Sequence, residues 1–227
     1  MLQKVNGIAL YYEKTGEGQP IILLHGNGED HTIFDVLTNQ LKSQYTVYAI
    51  DSRGHGQSTK VKELDYRVMA EDISQFIQVL QLKKPILYGF SDGGILGLMI
   101  ASTYPELLSK LIISGANLKP EGVKAAYLNL FRFFYYMTRR PKYHLMISQP
   151  QIEVDELHKI SIPTLVLAGS QDLIKEDHTR HIAENLPDCT MQILPGESHA
   201  SYVVHSEKLY GMLQPFLLAE GLLKDIS

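Results

Sequence analysis

The most constraining feature of this chain is a serine between two glycines, at a point where a strand turns into a helix. Residues 89–93 read Gly-Phe-Ser-Asp-Gly, after an apolar run at 86–88 and before a helical pattern at 95–101. So short a reversal forces Ser91 into a strained backbone conformation, and glycines on both sides avoid collisions. The hydroxyl of Ser91 then projects beside the free N–H groups of a helix N-terminus. Taken alone, the pattern also fits a plain glycine turn.

Composition and charge limit the class of protein and of partner. The 227 residues are 44% hydrophobic and 20% charged, which fits one domain, residues 1–227, with a sizeable core. The net charge is −4 and no basic stripe is present, so nucleic acid is not an expected partner. No apolar run reaches the roughly 18 residues of a membrane span, and the start lacks a signal-peptide core. We expect a soluble cytoplasmic protein with no membrane partner, either monomer or homodimer, whose single Cys189 is an inert thiol.

Strand and helix patterns alternate along the chain. Asn-Gly at residues 6–7, between two alternating runs, predicts an antiparallel hairpin, and continuous apolar runs predict strands covered on both faces. The predicted strands are residues 2–5, 8–12, 21–24, 45–50, 86–88, 111–113, 163–168 and 190–194. The predicted helices are residues 31–44, 66–82, 95–101, 175–185 and 205–218. This alternation predicts an α/β fold with a mostly parallel sheet.

Three polar residues follow predicted strands and form a candidate catalytic set: Ser91, Asp172 and His199. The carboxyl ends of parallel strands share one edge of the sheet, so residues far apart in sequence can meet there. Serine is a poor nucleophile at neutral pH and needs a base, which histidine can supply, and a carboxylate fixes the histidine tautomer. Other candidates fit these positions less well because they lie inside helices, in a helix-opening turn or lack an acid group: His178, His181, His205, Asp177 and Asn117.

A glycine-rich loop, His25-Gly26-Asn27-Gly28, follows the strand at 21–24. It reads as a tight turn or, with Ser91 in view, as half of an oxyanion hole. In the second interpretation the backbone N–H groups of Asn27 and Asp92 bind the oxyanion. We expect His25 to be a buried hydrogen-bonding scaffold. Residues 51–58 lack the Gly-Lys-Ser/Thr of a phosphate-binding loop and predict a rigid turn held by Asp51 and Arg53.

Residues 117–157, called the insert below, break the alternation. They are rich in aromatic residues and methionine, with arginine and lysine interleaved. We interpret the insert as a helical cap over the site, and the alternative is a core helix with a solvated basic face. The residues predicted to line a substrate pocket are Phe131, Phe134, Tyr135 and Met137. Arg139 or Arg140 could meet an anionic substituent of the substrate.

Taken together, these motifs resemble the α/β-hydrolase family, of the small esterase, lactonase, peptidase and C–C hydrolase type. The resemblance covers nearly the whole chain and rests on the motifs at residues 25–28, 51–58, 89–94, 169–172 and 196–199. It implies an eight-stranded, mostly parallel sheet with helices on both faces and a short cap after the sixth strand. It also implies that Ser91 is the nucleophile, His199 the base and Asp172 its orienting acid, in the chain order typical of the family.

The resemblance leaves the reaction and substrate open. The leading hypothesis is a cofactor-free, metal-free serine hydrolase that cleaves a small carboxylic ester through an acyl-enzyme. The alternatives are a C–C bond hydrolase or cofactorless lyase with the same triad, and a non-enzymatic small-molecule binding protein. Two departures from the family matter: the insert is short, and Asp92 follows the serine. Asp92 fits a helix N-terminus by charge alone, but a carboxylate there could also bind a cationic substrate group.

Overall fold

The structure, a computed structural model, describes residues 1–219. Within these residues eight strands form one sheet in the order β1-β2-β4-β3-β5-β6-β7-β8. The strands are Leu2–Val5 (β1), Ile8–Thr15 (β2), Gln19–Leu24 (β3), Tyr45–Ile50 (β4), Ile86–Phe90 (β5), Lys110–Ser114 (β6), Thr164–Gln171 (β7) and Cys189–Ser198 (β8). The helices are Asp35–Leu41 (α1), Tyr66–Val79 (α2), Asp92–Thr103 (α3), Ala125–Thr138 (α4), Pro141–Ser148 (α5), Val154–Leu157 (α6), Glu176–Glu184 (α7) and Lys208–Leu218 (α8).

The sheet is antiparallel at one edge and parallel elsewhere. The predicted hairpin is confirmed: β1 pairs with β2 across Asn6 and Gly7, both of which have positive φ. β2 also runs antiparallel to β4, whereas every pairing from β4 through β3 and β5 to β8 is parallel. The parallel strands therefore end at one edge, which is where the polar loops of the candidate site begin.

Both faces of the sheet are buried, which explains the continuous apolar runs. In β3, Ile22 and Leu24 belong to the core on the side of α2 and α3. Ile21 and Leu23 alternate with them and belong to the core on the side of α1 and α8. A strand covered on both faces needs apolar residues at every position, since successive side chains point to opposite faces. The prediction of an α/β fold with helices on both faces is thereby confirmed.

The loop after β4 is a rigid turn, as predicted. Asp51 accepts hydrogen bonds from the His31 N–H (2.8 Å) and, through its other oxygen, from the Gln57 N–H (2.7 Å). Arg53 instead forms a two-point ion pair with Asp72 of α2, at 2.7 Å for each contact. The turn is therefore held from two sides. The predicted helix at 31–44 is divided into a 3-10 turn, His31–Phe34, followed by α1.

The last strand extends further than its apolar pattern. β8 passes through Pro195 and Gly196 and pairs Ser198 with Gln171 after a shift in register. Proline is tolerated because β8 lies at the edge of the sheet, where a missing N–H breaks no ladder. At its start, burial raises the pKa of the Cys189 thiol to about 11, which agrees with the expected inert thiol.

The insert lies between β6 and β7 and contains α4, α5 and α6 together with a 3-10 turn, Pro120–Gly122. The strand–helix alternation resumes at β7, as the sequence pattern predicts. Among residues 1–219, no helix combines the length and apolar character needed to cross a membrane.

Candidate active site

The site is built around a strained turn between β5 and α3. Ser91 has φ +53° and ψ −113°, and its N–H donates to the Ser114 carbonyl at 2.7 Å. A Cβ at Gly89 would lie 2.1 Å from the Gly93 carbonyl oxygen, so the turn itself requires glycine there. A Cβ at Gly93 would lie 2.1 Å from the Leu24 carbonyl oxygen of β3. The second glycine is therefore required because α3 packs directly on the neighbouring strand.

The structure brings Ser91, His199 and Asp172 into one hydrogen-bonded chain. His199 Nε2 lies 3.1 Å from the Ser91 Oγ, and His199 Nδ1 lies 2.6 Å from Asp172 Oδ1. Asp172 Oδ1 also accepts the Ile174 N–H at 2.9 Å, and the aspartate is fully buried. A carboxylate can only accept, so Nδ1 carries the proton and Nε2 is left to accept the proton of the serine hydroxyl.

Gly115 leaves the space that the histidine occupies, and it was not among the predicted site residues. It follows β6 with φ +63°. A Cβ there would lie 2.7 Å from Cε1 and 2.8 Å from Nδ1 of His199, and 3.3 Å from Asp172 Oδ2. The available signal was its position, because a glycine directly after a parallel strand ends at the same edge as Ser91. Gly115 thus sets the place of the imidazole ring.

The glycine loop after β3 lies directly against the serine turn. A Cβ on Gly26 would lie 2.7 Å from Glu29 Oε2 and 3.1 Å from the Ser91 Cβ, so a side chain at position 26 would crowd both residues. The backbone N–H groups of Asn27 and Asp92 donate no hydrogen bond to any acceptor in the part of the chain that the structure describes. His25 is buried as predicted: its Nδ1 donates to the Gly26 carbonyl (2.7 Å) and its Nε2 accepts the Ser52 N–H (3.0 Å).

The Asp92 side chain is buried and held by two donors. Its Oδ1 accepts the Tyr66 hydroxyl at 2.7 Å, and its Oδ2 accepts the Asn27 side-chain amide at 2.9 Å. Burial raises the pKa of the Asp92 carboxyl above its ordinary value, and the bond from Tyr66 opposes the rise. The Asn27 amide also donates to the Lys142 carbonyl of α5 at 3.3 Å. Asp92 therefore links the glycine loop, α2 and the insert, a role that the sequence did not reveal.

A second carboxylate, Glu29, lines the same cavity and was not anticipated. It accepts the Gly26 N–H at 3.0 Å. Burial raises the pKa of the Glu29 carboxyl, and the bond from Gly26 partly offsets that effect. Its acidic side chain next to the glycine loop was the signal that the sequence offered.

A cavity of about 250 Å³ lies over Ser91 and His199. Its polar floor includes Asn27, Asp92 and Glu29. Its apolar walls come from the insert and from the loop after β7: Val123, Phe131, Tyr143, Met146, Leu173 and Ile174. The site is thus a small apolar chamber above a few polar groups, the usual form of a small-molecule site.

The predicted pocket residues are only partly found here. Phe131 lines the cavity, whereas Phe134, Tyr135 and Met137 do not. Phe134 stacks on Tyr143 with ring centroids 5.3 Å apart, Tyr135 faces a separate cavity beside α2, and Met137 is exposed. The reason is that α4 directs only a narrow stripe inward, so neighbouring positions on the helix diverge.

The basic side chain beside the cavity is neither of the two arginines suggested by the sequence. Arg139 lies over the rings of Tyr135 and Tyr136, and Arg140 lines a neighbouring cavity. Lys142 is the basic residue of the insert that borders the cavity above Ser91.

Comparison with known proteins agrees with this architecture. The human protein Serine hydrolase BPHL is 28% identical, over 94% of this chain and 84% of that protein. The AB hydrolase superfamily protein YisY of Bacillus subtilis (strain 168) is 25% identical, over 92% of this chain and 95% of that protein. The structure of the esterase EaEST from Exiguobacterium antarcticum superposes with a TM-score of 0.83 at 23% identity, covering 96% of this chain and 98% of that chain.

The family model described as alpha/beta hydrolase fold matches residues 19–145, more than half of the chain. That range includes the glycine loop after β3 and the serine turn. With the sheet order and the strained serine between β5 and α3, this match establishes that the chain belongs to the α/β-hydrolase family.

Proposed function

We propose that this protein is a serine hydrolase of small carboxylic esters. The observation that carries the proposal is the chain of hydrogen bonds from Ser91 Oγ through His199 to Asp172, at 3.1 Å and 2.6 Å, on the floor of an apolar cavity. Nucleophile, base and orienting acid then have the mutual geometry that acyl transfer needs.

In the first half of the reaction Ser91 becomes acylated. Its Oγ attacks the carbonyl carbon of the ester, and its proton passes to His199 Nε2. The carbonyl oxygen becomes an oxyanion that accepts hydrogen bonds from the backbone N–H groups of Asn27 and Asp92. When the C–O bond to the alcohol breaks, the alcohol leaves with the proton held by His199.

In the second half a water molecule repeats these steps. It attacks the acyl carbon and gives a proton to His199 Nε2. The bond from the acyl carbon to Ser91 Oγ then breaks, Ser91 recovers its proton, and the carboxylic acid leaves. Throughout, Asp172 keeps its negative charge and stabilises the transient imidazolium.

The size and lining of the cavity support a small, mainly apolar acyl or alcohol group. About 250 Å³ lies just below the range of roughly 300–1,000 Å³ typical of drug-sized ligands. We propose that the insert, residues 117–157, acts as the cap, because Phe131, Tyr143 and Met146 form the apolar wall opposite the floor. The bordering charges, Glu29 and Lys142, would set preferences among polar substituents.

The decisive experiment is intact mass after treatment with a fluorophosphonate, followed by a p-nitrophenyl ester series of increasing chain length. We expect one adduct on Ser91, none on Ser91→Ala, and a loss of kcat of about 10⁴-fold or more in that variant. Ser43→Ala, at an exposed serine far from the site, is the matched control and should react as wild type.

Other outcomes separate the alternatives. Labelling of Ser91 without turnover of any simple ester would favour a C–C bond hydrolase or lyase. An absence of labelling would favour a binding protein, and labelling that survives in Ser91→Ala would refute the assigned nucleophile.

A further inference from the structure

Helix α4 has apolar residues on two opposite faces, and only one of them is covered. The inner stripe consists of Leu128, Phe131 and Tyr135, which are buried or half-buried. The outer face of α4, defined as Leu130, Phe133, Tyr136 and Met137, is 45%, 57%, 70% and 61% exposed. At 100° per residue these four side chains lie within one 120° arc, opposite the inner stripe. An exposed helix normally places polar residues there.

The exposed apolar area matches that of the main apolar patch on a typical monomeric protein. With about 200 Å² per side chain, the outer face of α4 presents on the order of 450 Å² of accessible surface. The largest apolar patch on a typical monomer is about 300–600 Å², and such patches are often functional. The outer face is therefore a candidate docking surface.

The charge around this face is unbalanced. Residues 124–148 contain five lysines and arginines and no aspartate or glutamate, while the whole chain carries −4. Within residues 1–219, the other three arginines, Arg53, Arg67 and Arg180, each pair with a carboxylate. Arg132, Arg139 and Arg140 have no carboxylate partner in that part of the chain. Three unneutralised guanidinium groups thus border an exposed apolar face.

The exposed apolar face and the unpaired arginines together indicate what docks on the outer face of α4. A second copy of the chain, docked by a twofold axis through the outer face, would place three unpaired arginines beside three others, and like charges there oppose association. A lipid surface with anionic headgroups satisfies both features, because phosphates pair with guanidinium groups and aromatic side chains settle at the boundary with the acyl chains.

We propose that the outer face of α4, with the arginines that border it, docks on a lipid surface containing anionic headgroups. The sequence-based expectation of no membrane partner rested on the lack of a spanning segment, and an interfacial helix needs none. The proposal is independent of the proposed hydrolase activity, since it concerns residues that do not line the cavity above Ser91.

The test is co-sedimentation of the full chain with vesicles of phosphatidylcholine alone and of phosphatidylcholine mixed equally with phosphatidylglycerol. We expect the chain to sediment with the vesicles that contain phosphatidylglycerol and not with those of phosphatidylcholine alone. High salt should weaken this binding. Phe133→Ser with Tyr136→Ser should lower the partition coefficient by at least about tenfold, through lost apolar contact. Arg132→Gln with Arg140→Gln should lower it by roughly tenfold or more, because each guanidinium group is attracted to the anionic headgroups.

Matched controls separate docking from a general change in the protein. Val79→Ser removes an apolar side chain that is 53% exposed on α2, and it should bind as wild type. Thermal unfolding of each variant checks that the fold is retained, which exposed substitutions should leave within a degree or two.

Two results would overturn the proposal. One is a wild-type chain that does not sediment with anionic vesicles, and the other is equal binding by Phe133→Ser with Tyr136→Ser. If the wild-type chain fails to bind vesicles and instead forms a dimer in sedimentation velocity that the same double variant converts to monomer, a second copy covers the outer face.

Discussion

Gly115→Ala is the sharpest test of how the site is held together. The substitution adds one methyl group at a position with φ +63°, behind the imidazole of His199. The new Cβ would lie 2.7 Å from Cε1 and 2.8 Å from Nδ1 of the ring. Ordinary contact begins at 3.4 Å, so the ring must move away by several tenths of an ångström, up to about 0.7 Å.

Two separate costs follow from this geometry. Alanine at positive φ costs about 1–2 kcal/mol of folding stability, whatever its neighbours. Displacement of His199 also stretches its 3.1 Å contact with Ser91 and its 2.6 Å contact with Asp172. A misplacement of about 1 Å costs on the order of 10²-fold in rate, so a shift of up to about 0.7 Å should lower kcat by roughly tenfold or more, up to about that factor.

The control is Gly7→Ala, in the β1–β2 hairpin. Gly7 has φ +76° and no atom within 4 Å of an added Cβ, so this variant carries the backbone cost alone. Urea unfolding should show similar losses of stability for both variants, and kcat on p-nitrophenyl acetate should fall in Gly115→Ala alone. Wild-type kcat and wild-type labelling by a fluorophosphonate in Gly115→Ala would refute the reasoning.

Three further outcomes follow from the buried groups and the cavity wall. Burial lowers the pKa of His25 from 6.5 to about 4, so protonation favours the unfolded chain. The free energy of unfolding should fall by about 3 kcal/mol as the pH drops from above 6.5 towards 4. In urea unfolding experiments, the free energy of unfolding of His25→Gln should depend less on pH than that of wild type. Tyr66→Phe removes a donor from the buried Asp92 carboxylate and should cost about 1.5–3 kcal/mol at neutral pH, less in acid where the carboxyl is protonated. Phe131→Ala should change chain-length preference by about 1–3 kcal/mol, whereas Phe134→Ala should leave kcat/KM within about twofold.

Local sterics and burial made much of this protein predictable from its sequence. The glycine at position 89 is required by the backbone of the turn itself. Its spacing from Ser91 therefore identifies the turn without knowledge of any other element of the fold. The strands were predictable because a sheet covered on both faces requires continuous apolar runs, as in residues 21–24. The meeting of Ser91, Asp172 and His199 was foreseeable, because parallel strands end at one edge.

The contacts between distant elements were decided only by the tertiary structure. The helical period of α4 groups Phe131 with Tyr135, but it does not say which of them lines the cavity above Ser91 and which lines the separate cavity beside α2. The need for glycine at 115 arises from the side chain of His199, which no local pattern encodes. The hydroxyl of Tyr66 reaches Asp92 because α2 packs against α3. Sequence patterns record which face of an element is buried, whereas side chains brought together by packing define what that face touches.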